Sequence, residues 1–173
     1  MRNIDSNATT ISLTGTTNGT DQTNASYQQN AEADVSEYHD TFWNPFNHVT
    51  LGFPGQTQFG QNPQNDSQFL KTVARHGLNA SVPGAIKPQV GGQLKRAARV
   101  PITGMQAQMI QNAMKQSMQN PPPYTIYGQT GCDCGTWVQM MLGDAGVNSG
   151  PAAPLPDTLM NQLDQLYPQQ PQQ

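Results

Sequence analysis

Two cysteines one residue apart, Cys132 and Cys134, and three histidines, His39, His48 and His76, are the side chains best suited to nucleophilic and proton-transfer chemistry. Cys134 follows Asp133, a good N-cap residue, and Cys134, Trp137, Val138, Met141 and Ala145 recur at three- and four-residue spacing. The pattern predicts a helix whose first turn carries the thiol. There a thiol lies near unpaired backbone N–H groups and the positive end of the helix dipole, both of which favour thiolate. The chemistry on offer is attack of sulfur on a carbonyl carbon; the bland alternative is a small buried cysteine. Cys-x-Cys is not the Cys-x-x-Cys redox pattern, and no second cysteine pair completes a zinc site. Cys132 precedes the cap and points off the helical stripe. Cys134 is therefore the candidate nucleophile, with no metal and no cofactor expected.

A cysteine nucleophile needs a base, and the base needs an orienting group. His39 lies in an entry segment, and His76 stands before Gly77 at a helix end, where it compensates the dipole. His48 alone sits on an expected strand, residues 47–53, whose alternation puts His48, Thr50 and Gly52 on one face and Val49, Leu51 and Phe53 on the other. Pro54-Gly55 predicts a type II turn, proline setting the first φ and glycine taking the positive second one. Residues 57–61 return as the antiparallel partner. With Phe53 and Gln56 flanking the turn, Gln61 falls opposite His48 and gives the imidazole a polar neighbour.

The remaining elements must position these groups. At 173 residues the chain holds one core. Residues 1–36, rich in Asn, Thr, Ser and Gly, are expected to be a leader with nothing to offset the entropy of ordering, apart from an alternative edge strand near Thr10 and Leu13. Residues 37–168 form the domain and 169–173 an unfolded tail. Folded structure is expected to begin with Tyr38, Phe42, Trp43 and Phe46. A helix follows Asp66 and Ser67, a loop fills residues 81–92, and a strand covers 93–102 with Lys95, Arg96 and Arg99 on its wet side. Thr103 caps a helix to about Gln119 whose stripe is Met105, Met109, Ile110, Ala113 and Met114. Pro121-Pro122-Pro123 ends it, and a last helix over 157–167 packs Leu159, Leu163 and Leu166. The net charge of −3, with 11% charged residues, supplies no basic patch for nucleic acid and no polybasic membrane anchor. No apolar run approaches the roughly 20 residues that span a bilayer, and no signal peptide is expected. Two cysteines this close make a poor structural staple, so reduced thiols are expected.

Three segments together carry a resemblance. They are Asn44-Pro45-Phe46-Asn47-His48-Val49-Thr50-Leu51-Gly52, then Gly131-Cys132-Asp133-Cys134-Gly135-Thr136-Trp137-Val138-Gln139, and Pro156-Asp157-Thr158-Leu159. The order of histidine strand, hairpin, helix and cysteine helix resembles the circularly permuted papain-like group with its lecithin:retinol acyltransferase-like members. More closely, residues 43–167 are similar to papain-like C-terminal toxin domains of Rhs-type polymorphic toxins. The resemblance implies an α+β papain-like fold, a small antiparallel sheet packed against helices with the nucleophile at a helix N-terminus. It implies Cys134 as nucleophile, His48 as base and Gln61, beside Asn62, as the third member. Asp133 supports the site, and the backbone N–H of Cys134 with Gln129 or a hydroxyl of Tyr124 or Tyr127 receives the oxyanion.

The implied function is an antibacterial effector that hydrolyses amide bonds of a protein or peptide substrate, as a peptidase or deamidase. It would be delivered into a competing bacterium by a contact-dependent or type VI route on an upstream Rhs protein, and act in the cytoplasm rather than the periplasm. A cognate immunity protein would protect the producer. A peptidoglycan peptide amidase and an acyltransferase or lipid deacylase of the same fold are alternatives, and a non-catalytic binding module is the rival from another class.

Overall fold

Period-two alternation sets the layering. In β1 (Asn30–Tyr38), Ala33 and Val35 point one way with Glu37, while Asp34, Ser36 and Tyr38 point the other. The computed structural model describes residues 30–39, 47–126, 131–153 and 155–169. Among the described residues five strands, β1, β2 (His48–Gly52), β3 (Phe59–Pro63), β4 (Gly84–Pro88) and β5 (Leu94–Thr103), form one antiparallel sheet of order β4-β3-β2-β1-β5. The described helices are α1 (Asp66–His76), α2 (Gly104–Gln119), α3 (Cys134–Asp144) and α4 (Pro156–Leu166). The architecture is α+β.

The paired registers Val35↔Leu51 and Val35↔Ala98 put the apolar residues of β1, β2 and β5 on one face. That face packs Ala33, Val35, Val49, Leu51, Ala98, Val100 and Ile102 against Ile110 and Met114 of α2. Trp137, Val138, Met141 and Leu142 of α3 and Leu159, Met160 and Leu163 of α4 complete the core. A smaller cluster joins Phe69 of α1 to Val82, Tyr124 and Ile126, with the rings of Phe69 and Tyr124 edge to face at 5.3 Å.

Local chemistry explains most element boundaries. Gln56 N–H donates to Phe53 O at 2.9 Å, closing the Pro54-Gly55 turn with Gly55 at φ 73°. Thr103 and Gln106 form a reciprocal capping box on α2. Asn65, one residue before the expected cap, accepts from Gln68 N–H to start α1, and Gly77 at φ 78° ends it.

Four expectations change. The folded part begins before residue 37, because β1 starts at Asn30 and lies between β2 and β5; its polar composition reflects a face on which Ser36 is itself buried and hydrogen-bonded. The expected loop at 81–92 contains β4, which is an edge strand among the described residues: Pro88 needs no outer ladder N–H there, and Gly84 leaves room for Pro122 O and the Gln61 amide, with which an added Cβ would collide. The methionine stripe divides: Ile110 and Met114 are buried, whereas Met105 and Met109 are exposed, as is Leu166 on α4. Lys95 and Arg96 do not share a wet side with Arg99; the register shift opposite Glu37 and Tyr38 leaves Lys95 as an extra residue, and both cations converge on Glu37. The expected edge strand near Thr10 and the aromatic residues Phe42, Trp43 and Phe46 lie outside the described residues.

Two substitutions on α3 test the layering. Leu142→Ala, at a fully buried position, should cost about 2–5 kcal/mol in chemical denaturation. Met140→Ala, on the exposed side of the same helix, should stay within about 0.5 kcal/mol.

Candidate active site

Cys134 is delivered by a braced approach segment. Tyr124 exchanges backbone hydrogen bonds with Val82, at 2.8 and 3.0 Å, and Cys132 N–H donates to Pro123 O at 3.0 Å. Gln61 Nε2 donates to Pro122 O at 2.7 Å. Asp133 then takes an extended conformation, and its Oδ1 accepts from Thr136 N–H at 2.7 Å, so α3 starts at Cys134.

The first turn of α3 docks on the opening of β2. The N–H of Val49 donates to Cys134 Sγ at 3.5 Å, so the sulfur takes up a strand donor two residues from the pair Leu51↔Phe59 that joins β2 to β3. Val49 follows His48, and bond lengths alone then put Sγ within roughly 6 Å of the His48 Cα. The imidazole, however, keeps to the face dictated by alternation, opposite the helices. It lies over Gly60, where an added Cβ would collide with Nε2 and stand 2.8 Å from Cε1. Among the described residues His48 and Cys134 are not hydrogen-bonded to each other. Thiol and imidazole thus approach one peptide unit from the two sides of the sheet.

Gln61 does not lie beside His48. The register Leu51↔Phe59 sets Gln61 level with Val49, on the helix face, one residue from the expected pairing. The return strand carries an extra residue because Gln58 turns in, accepting from Thr50 Oγ1 at 2.6 Å and donating to Ser36 Oγ at 2.9 Å. Gln61 is fully buried, its amide nitrogen is held by Pro122, and its Oε1 has no partner. In this position it braces the segment leading to Cys134. Tyr127 and Gln129, the expected oxyanion donors, lie outside the described residues.

Burial governs the electrostatics. It pushes the Cys134 thiol up to about 12, with the nearby Asp133 carboxylate adding to the effect, against the N–H groups of Val49, Gly135 and Cys134 itself. The expected thiolate is therefore overruled: a helix start is worth about 1 kcal/mol, and removing a charge from water costs several times that. Burial and Asp133 also raise Cys132 to about 12. His48 is lowered to about 4 by burial. Burial raises Tyr124, helped by the neighbouring thiols and Asp133, so its phenol stays protonated. The resting pair is a neutral thiol and a neutral imidazole. Both cysteines are free, and no cluster of three metal-ligating side chains occurs among the described residues.

Two groups escaped the sequence reading. Asn47, immediately before His48, hydrogen-bonds the fully buried Glu37. The available signal was a carboxylate at an inward position of β1, in step with Ala33 and Val35.

Two measurements check the site. In the native protein at pH 7, iodoacetamide should label Cys132 and Cys134 at least about 100-fold more slowly than in denaturant; rapid native labelling near pH 6 would show a thiolate instead. His48 is depressed in the fold, so its contribution is full above the unfolded value near 6.5 and is lost as pH falls towards 4. Between those values wild type should lose on the order of 2 kcal/mol more stability than His48→Gln. Compared with protein-family models, curated proteins and solved structures, the chain matches none of them, which leaves its own geometry to carry a functional reading.

Proposed function

We propose that the chain is a papain-like thiol hydrolase of amide bonds, acting as an antibacterial effector domain. One observation carries the reading: the 3.5 Å contact of Cys134 Sγ with the N–H of Val49, which joins the first turn of the cysteine helix to the residue after a strand histidine. Cys134 is the nucleophile and His48 the base, in the arrangement implied by the resemblance to Rhs-type toxin domains. For His48 to act as the base its ring must leave Gly60 and reach the sulfur, which takes a movement of the backbone at the start of β2 as well as a change of χ1.

With both groups neutral at rest, the proton moves as the bond forms. His48 takes the thiol proton while Sγ attacks the carbonyl carbon, and the carbonyl electron pair moves to oxygen. The N–H of Cys134, at a helix start without an intrahelical acceptor, receives that oxyanion, an interaction worth on the order of 3 kcal/mol. Collapse expels the amine, which takes the proton from the imidazolium. Water, deprotonated by His48, then releases the carboxylic acid and restores the thiol. The substrate class is a protein or peptide amide, met in the cytoplasm of a target bacterium, with an immunity protein protecting the producer and an upstream Rhs protein delivering the domain.

The burial of Cys134, 4% exposed, favours one other reading, a non-catalytic binding module with an inert core cysteine. Inducible expression of the chain in bacterial cytoplasm separates the two. Cys134→Ala and His48→Gln should each restore growth by orders of magnitude in plating efficiency, and Cys132→Ala should remain toxic. Undiminished toxicity of Cys134→Ala in a folded protein would favour the binding module.

A further inference from the structure

Glu37 is a carboxylate with no exposed surface, on the helix face of β1 between β2 and β5, where burying a charge is costly unless it is paired. Its Oε2 accepts from Arg96 Nε at 2.6 Å, and its Oε1 accepts from Lys95 Nζ at 3.1 Å and from Asn47 Nδ2 at 2.7 Å. Adjacent strand residues ordinarily point to opposite faces; the bulge at Lys95 lets two consecutive cations reach one carboxylate. The network continues to α4. Lys95 Nζ and Arg96 Nη2 donate to Asp157 Oδ1 at 2.6 and 3.1 Å, Arg96 Nη1 donates to Asn161 Oδ1 at 2.6 Å, and Asn47 Nδ2 also reaches Asp157 Oδ2 at 3.3 Å. β1, β5 and α4 are thereby locked around one point, and the side chain from the β2 side that enters it belongs to the residue preceding His48.

We infer that Asn47, held by Glu37 and Asp157, is a positioning residue for His48: it fixes the backbone at the start of β2 and thereby where the imidazole stands relative to Cys134. The inference rests on the hydrolase reading for its purpose, but the positioning can be measured without it. Removing the Asn47 amide leaves Glu37 paired with Lys95 and Arg96, so the network survives while its hold on β2 is lost. A displacement of about 1 Å at a reacting group can cost about 100-fold in rate.

The test uses the full chain with His48 selectively labelled for NMR, alongside growth inhibition in bacterial cytoplasm. NMR titrations use the Cys134→Ala background so that the protein can be produced. In Asn47→Ala the His48 Cε1–H signal should shift and its titration midpoint should rise from about 4 towards that of a solvated imidazole, with cooperative unfolding retained. Toxicity should fall at least about tenfold. Asn47→Gln, which keeps an amide donor, should recover part of both effects. Arg99→Gln removes a cation from the same strand without touching Glu37 and should change neither. If Asn47→Ala unfolds the chain, the same readouts on Asn47→Ser, whose shorter side chain withdraws the amide from Glu37 and Asp157, decide the matter: a raised His48 midpoint with reduced toxicity supports the role, and no change in either overturns it. An unchanged His48 signal and undiminished toxicity in the folded variant would overturn the positioning role alone. Persistent toxicity of Cys134→Ala would overturn the hydrolase reading, whatever the titration showed.

Discussion

The contact between the thiol of Cys134 and the N–H of Val49 is the joint on which the candidate site depends. A strand donor near a sheet interior must find an acceptor, and here that acceptor is supplied by the first residue of a helix instead of by a neighbouring strand. The demand ties two segments distant in sequence to one peptide unit. Gln61 holding Pro122, the bridge of Tyr124 to Val82 and the Asp133 cap all hold the helix start in place. The apolar face of α3 then seals the arrangement, with Trp137, Val138 and Leu142 buried against the sheet.

Docking the thiol this deeply has an electrostatic consequence. The helix start and three N–H groups favour thiolate, yet desolvation outweighs them and the thiol rests protonated. The same burial leaves His48 neutral for the opposite chemical reason, since there the charged form is the protonated one. Glu37 shows the other solution to burial. It carries two cationic partners and an amide, as a fully enclosed carboxylate requires. At Cys134 and His48 charge is suppressed; at the junction of β1, β5 and α4, charge is paired.

Much of the framework was legible because it rests on local rules. His48–Gly52 alternates, Pro54-Gly55 turns, Thr103 caps one helix and Asp133 caps another, each through contacts within four residues. What escaped depends on neighbours far along the chain. The strand Asn30–Tyr38 has a polar composition because one of its faces is buried through the Ser36, Gln58 and Thr50 hydrogen bonds. β4 required β3 as its neighbour, and the exposure of Met105 and Met109 depended on where α2 settled on the sheet.

The amino-acid order by itself determined that Cys134 opens a helix and that His48 lies on the strand face opposite Val49, because backbone periodicity and capping act between near neighbours. Only the tertiary structure decided that Gln61 turns to the helix side, that Lys95 and Arg96 meet on Glu37, and that the thiol is protonated. A one-residue change of register reverses a side chain's face, a bulge lets consecutive residues share one, and desolvation depends on everything packed around a group.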